Sequence, residues 1–186
     1  MADLNVALVT FENEGAAYDQ FNRLKDEEST EGYTILEMAV VRNEGGIIMA
    51  ADGYEDGYDD TNNTGFGGII GAVVGVLGGP IGVLLGTGIG LAAGMAIDDK
   101  DVADDDSLME WAAQNLAKGQ TALAMVVKEH DEEALDAAID ETCAIYRWDA
   151  DVVTAEVEHA EALRDQLAAA TRKQLREARK AARQAK

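Results

Sequence analysis

A run of 33 residues, Gly65 to Ile97, carries no charged side chain, and twelve of the chain's nineteen glycines fall inside it. Gly67, Gly71, Gly75 and Gly79 are four apart, and so are Gly78, Gly82, Gly86, Gly90 and Gly94. Four residues is just over one helical turn, so each set draws a bare, slowly winding stripe on a helix. The only proline, Pro80, stands at the junction of the two sets. Gly78-Gly79 can close one helix, and Pro80 can open the next at its first position. The spacing predicts a helical hairpin, one arm over about Phe66–Gly78 and the other over about Ile81–Ile97.

Each glycine inside a helix costs about 1 kcal/mol relative to alanine, so such helices need compensation. A glycine stripe supplies it by letting another backbone approach closely. The remaining positions are large aliphatics, with Ile69, Ile70, Val73, Val74, Leu77, Ile81, Leu84, Leu85, Ile89 and Leu91 expected to face a membrane or a core. An exposed apolar surface of that size aggregates, so it must be covered. Two covers suit it: lipid, or further copies of the hairpin. The second arm nearly matches a hydrocarbon core of roughly 30 Å, and the first is short. The flanks are acidic, with Lys100 the one nearby base, so the positive-inside rule sets no orientation.

The flanking chain reads as alternating strands and helices. Leu4–Phe11 is apolar on both faces, as a central strand is. Asn13–Glu28 carries Ala17, Phe21 and Leu24 on one stripe. Tyr33–Arg42 and Ile47–Ala51 flank the turn Asn43-Glu-Gly-Gly46. Ser107-Leu-Met-Glu110 opens a helix that stops at Gly119, with Leu108, Trp111, Ala112 and Leu116 inward. Thr121–Lys128 is a strand, Asp131 caps a helix through Thr142 with Leu135, Ala138 and Ile139 inward, and Cys143–Val153 holds the last strand. From about Thr154 the chain lacks Gly and Pro and reads as one long helix. The expected class is α+β: a ferredoxin-like βαβ-βαβ sandwich, two helices on one sheet face, interrupted by the glycine-zipper hairpin. Residues 1–52 and 121–153 form its halves, 65–97 the hairpin, 107–118 a connecting helix and 154–186 the basic C-terminal helix.

Charge is unevenly spread. Residues 1–161 hold 34 acidic and 7 basic side chains, a net of −27, while 162–186 hold 2 and 8, a net of +6. The acidic body argues against nucleic acid as a partner. In the tail, Leu163, Leu167, Ala170 and Leu175 make a thin apolar stripe. Arg172, Lys173, Arg176, Arg179, Lys180 and Arg183 make it basic, which suits a strap laid on the acidic body of a neighbouring subunit. Cys143 is the only cysteine, which fits a reducing cytoplasm, and the N-terminus has no cleavable signal pattern.

The opening "VALVTF", the helix after it, the block "GGIIGAVVGVLGGPIGVLLGTGIGLAAG" and the later "KGQTALAMVV" together resemble the bacterial domain-of-unknown-function family 1269, often labelled predicted membrane protein. The likeness covers about residues 4–150, and the glycine block is its specific part. It implies a ferredoxin-like fold with a glycine-rich insertion and an association with membranes, and it implies no activity.

Other chemistry is weakly supported. Gly86-Thr-Gly88-Ile-Gly90 sits mid-helix with no Gly-Lys-Ser/Thr, unlike a nucleotide loop. Asp52-Gly-Tyr-Glu-Asp56-Gly57 fails the calcium-loop pattern at Tyr54 and Asn63, and Asp98–Asp106 reads as a solvated charge run. His130 and His159 have no implied acid–base partner, Cys143 reads as a structural thiol, and Trp111 and Trp148 as core or interface. No catalytic constellation, cofactor site or metal site is expected. The reading is a non-enzymatic, self-assembling homo-oligomer on the cytoplasmic side of a membrane, its hairpins packed in or against lipid. The alternative is a soluble cytoplasmic stress-response or binding module whose hairpins form a lipid-free assembly core.

Overall fold

The computed structural model describes residues 3–27, 29–55, 68–82, 107–116 and 118–184. The elements are β1 (Asp3–Phe11), α1 (Glu14–Asp26), β2 (Tyr33–Glu44), β3 (Ile47–Glu55), α2 (Gly68–Leu77), α3 (Leu108–Asn115), β4 (Thr121–Glu129), α4 (Glu132–Ala138), β5 (Ile145–Asp149) and α5 (Ala150–Gln184). The class is α+β. The strands form one five-stranded antiparallel sheet in the order β3-β2-β4-β1-β5.

β1 and β4 lie at the centre and are apolar on both faces, because both faces are covered. Ala7, Val9, Phe11, Leu123, Met125 and Val127 point to one side, where α1 and α4 pack with Phe21, Leu24 and Leu135. Val6, Leu8, Ala122, Ala124 and Val126 point to the other, where α2, α3 and the first half of α5 pack. The molecule is thus three layers deep, whereas the sequence reading placed helices on one face. The hairpin segment contributes α2 and the connecting segment α3 to the second helical layer, while β3 lies at the sheet edge. The missing clue was the sheet itself: two-faced burial of β1 and β4 requires a second cover, which among the described residues α2, α3 and the first half of α5 supply.

The caps fell where short polar residues precede apolar runs. The Asn13 side chain accepts from Ala16 N, Ser107 from Glu110 N and Asp131 from Glu133 N. The β2–β3 turn uses Gly45 at φ 66° and Gly46 at φ 99°, the left-handed pair a tight hairpin needs. Asn43, buried, ties this turn to the end of α3, donating to Leu116 O at 2.6 Å and accepting from Gly46 N at 2.9 Å.

Several boundaries differ from expectation. α4 stops at Ala138 rather than Thr142, because Asp140 turns the chain by accepting from Thr142 N and Oγ1. The long helix begins at Ala150, not Thr154. The Asp149 carboxylate accepts from Asp151 N and Val152 N, and Ala150 and Val153, read as the end of a strand, are buried helix positions. β3 extends to Glu55 rather than ending near residue 52.

Candidate functional site: the seat of the glycine helix

The best-defined special feature is how α2, the described part of the first glycine arm, is held. β2 carries an extra residue against β4 between Ile35 and Glu37. A bulge of this kind breaks the two-residue alternation. Before it, Tyr33 and Ile35 face the α1 side; after it, Met38 and Val40 do. Glu37 is therefore on the parity of Ala39 and Val41, which face α2. Its carboxylate accepts from Ile69 N at 3.1 Å and Ile70 N at 2.9 Å. Those amides have no partner within the helix, and the carboxylate also meets the positive end of its dipole. Gly68, at φ 66°, makes the entry possible, since a Cβ there would fall 2.0 Å from Glu37 Oε1.

Beyond the cap, α2 buries Ile70, Val73, Val76 and Leu77 against the sheet, and Ile81 follows them into the same core. Ile69 and Val74 are half-buried at its margin. Of the ten positions expected to face membrane or core, these six are described and all pack against this core, the chain's own; Leu84, Leu85, Ile89 and Leu91 lie outside the described residues. Val76 joins the buried face although it was not among the expected ones.

The described glycines do different jobs. A Cβ on Gly78 would meet Ile48 O at 2.8 Å, so glycine there lets α2 end against the backbone of β3. A Cβ on Gly82 would fall 1.8 Å from Leu77 O, which makes it a requirement of the turn around Pro80. Gly79 is half-buried and lies close to the carbonyls of its own helix. Gly75 is exposed and its Cβ position has nothing within 4 Å. The chain is helical again at 80–82, so Pro80 does open a helical turn. Gly67, Gly86, Gly90 and Gly94 lie outside the described residues.

Two buried carboxylates hold the rest of the frame. Glu156 of α5 accepts from Ser107 Oγ at 3.1 Å and Met109 N at 3.3 Å, fastening α3 to the long helix. Burial pushes its carboxyl above the ordinary value, and the bonds from Met109 and Ser107 only partly oppose this. Glu129, 3% exposed, accepts from Asn5 Nδ2 at 2.7 Å and from Arg147 Nε at 3.0 Å, while Arg147 Nη2 also reaches Asp136 at 2.6 Å. Sequence inspection missed Glu37, Glu129 and Glu156, since nothing marks them among the 36 acidic residues.

A cleft of about 550 Å³ opens between the N-terminal end of α1 and the α4–β5 turn. Phe11, Ala16 and Cys143 line it with Glu12, Asp19, Gln20, Arg23 and Asp140. The Gln20 amide is committed, donating to Ala138 O and accepting from Arg23. Hydrogen bonds from Thr142 hold the Asp140 carboxyl below its usual range. Trp111, Tyr146 and Trp148 pack ring on ring, with centroids 4.2, 5.6 and 6.4 Å apart, closing the β5 edge rather than forming an open cage. Among the described residues no group of three His, Cys, Asp or Glu is placed to hold a metal ion, and no helix is long and apolar enough to cross a membrane.

The last third of α5 is a separate feature. Its inward stripe, Val153, Val157, Ala160 and Leu163, is buried, and every residue from 164 to 180 is exposed. Arg172, Lys173, Arg176, Arg179 and Lys180 all stand in this stretch with no ion pair among the described residues; the Arg183 side chain is outside them.

No protein-family model matches the chain, and no curated protein or solved structure matches it either.

Proposed function

We propose that the protein is a non-enzymatic self-assembling module whose glycine-rich segment packs protein against protein. The observation that carries this reading is the two-sidedness of α2. Its aliphatic face is fixed to the sheet and its N-terminus is held by Glu37, while Gly75 is exposed, with nothing within 4 Å of its Cβ position among the described residues. A bare outward glycine on a firmly seated helix is a place where a second helix, from the hairpin's other arm or another copy, can approach closely. We extend the proposal to the fold. The order β2-β4-β1-β5, with α1 and α4 as crossovers on one face, supports a ferredoxin-like βαβ-βαβ core to which β3, α2, α3 and α5 are added. The glycine-zipper hairpin and the likeness to the family named above belong to the same proposal and rest on the residues quoted.

Membrane association is the second reading. It draws on the absence of charge throughout Gly65–Ile97. The cover given to Ile70, Val73, Leu77 and Ile81 by the chain's own sheet favours the lipid-free form.

Gly75→Leu separates these readings. Its side chain enters open space, so far-UV circular dichroism and melting should be retained. Mass from light scattering in detergent-free buffer should fall from oligomer toward monomer. An unchanged mass refutes assembly through this face. Full-length protein that resists carbonate washing from membranes, and is not extracted without detergent, establishes the second reading.

A further inference from the structure

We propose that the basic third of α5 is a strap in trans: it lies on the α1–α4 face of a second copy, with its arginines over the cleft between α1 and the α4–β5 turn. This rests on self-association and adds a second, electrostatic contact to it.

The strap has a face to offer. The buried stripe of α5 ends at Leu163, but its apolar positions continue into Leu167 and Leu175, which are 41% and 55% exposed. Leu175, Arg176 and Arg179 follow Arg172 by three, four and seven residues and so share one helix face with it. One leucine and three guanidinium groups therefore point the same way.

The strap cannot satisfy itself. α5 is one continuous helix to Gln184, roughly 50 Å long, and it leaves from the sheet face covered by α2 and α3. The α1–α4 layer is on the opposite face. A straight helix does not pass around a sheet, so the chain's own cleft is beyond its reach. Pairing two tails would set +6 against +6, which electrostatics disfavours.

The receiving face fits. Asp19, Asp26, Glu27, Asp131, Glu132, Glu133 and Glu141 are exposed on α1, α4 and their ends, against Arg23 and Lys25. The cleft has an apolar wall, Phe11, Ala16 and Cys143, with Glu12, Asp19 and Asp140 at its rim. That combination takes an arginine stem on the wall and its guanidinium on the carboxylates. The occupant is thus the tail of a second copy, chosen by charge and by the geometry that excludes its own.

Cys143, the chain's only cysteine, makes the test direct, because it lines the cleft. Full-length protein grown with natural and heavy nitrogen is mixed, equilibrated and treated with a maleimide–succinimidyl crosslinker. Peptides joining Cys143 of one isotope to Lys173 or Lys180 of the other are the expected product. The triple variant R172E/R176E/R179E, altered only at exposed positions, should lose these peptides and weaken association about tenfold or more. Adding Glu12→Arg and Asp19→Arg, both at exposed positions lining the cleft, should restore both. Crosslinks confined to one isotope, or triple-variant mass and crosslinks equal to wild type, overturn the strap. If the triple variant stays a full oligomer while Gly75→Leu dissociates it, the assembly reading survives and the strap alone falls. If wild type is monomeric throughout, both fall.

Discussion

Leu77→Ala is the sharpest test of where α2 resides. Leu77 is 3% exposed, packed with Ile70, Val73 and Ile81 over the sheet. Truncation removes three buried carbons and leaves a cavity, because Ile81, Val76 and the strand backbone on its sides are fixed by the fold. Losses at such sites run from about 2 to 5 kcal/mol. At about 2–4 °C per kcal/mol for a chain of this size, Tm should fall by roughly 4–20 °C. Urea denaturation in detergent-free buffer, followed by far-UV circular dichroism, gives the same quantity as a lower midpoint. Gly78→Ala is the companion, since its Cβ would stand 2.8 Å from Ile48 O, and neither the helix end nor β3 can easily retreat. Overpacking of that kind costs about 1–3 kcal/mol. If α2 were dissolved in lipid or unattached, Leu77→Ala would leave the unfolding of the remaining domain untouched. A midpoint for both variants within error of wild type therefore refutes the docked arrangement and the argument built on it.

Three further outcomes are expected. Glu37→Gln removes the charge at the α2 N-terminus and one of two amide acceptors, costing about 1 kcal/mol, and hydrogen exchange at the Ile69 and Ile70 amides should quicken while the β4 amides hold. Arg147→Met strands the buried Glu129 carboxylate with Asn5 as its remaining side-chain donor, at a cost of about 3 kcal/mol by calorimetry; the double variant Glu129→Leu/Arg147→Met should recover most of it. Glu156 has a raised pKa, so the folded state holds its proton more firmly than the unfolded chain does. Its contribution is favourable below the ordinary carboxylate value and is lost as pH rises through the raised one. Glu156→Gln should gain stability relative to wild type on going from about pH 4 to pH 7, and a gap independent of pH would contradict that sign.

Sequence patterning carried most of the framework. Short apolar runs located β1, β2 and β4, an apolar stripe located α1, and short polar caps located α3 and α4, because these signals are local. The second helical layer was not legible, since its evidence lies in the opposite face of strands far away in the chain. The glycine arm shows the same limit. Gly75 and Gly78 look alike in a four-residue register, yet one meets open space and the other a β3 carbonyl. What distinguishes them is the neighbour, which the spacing does not encode. Glu37, Glu129 and Glu156 are legible only when their amide, hydroxyl and guanidinium partners, 18 to 124 residues away, are brought alongside. The tail was legible as a basic helix, and the structure adds that its inward stripe outruns the body that it packs on.

The bulge in β2 makes the position of the glycine helix a matter of counting. Tyr33, Ile35 and Glu37 are odd-numbered neighbours, and an unbroken strand would send all three to the α1 side. One surplus residue sends the carboxylate through the sheet to the other side. Deleting Leu36 would place Glu37 directly after Ile35 and keep the carboxylate on the α2 side without a bulge, whereas straightening the strand at its present length would turn it toward the α1 layer. The attachment is thus written in the local register of the strand as well as in the aliphatic residues of the seat itself.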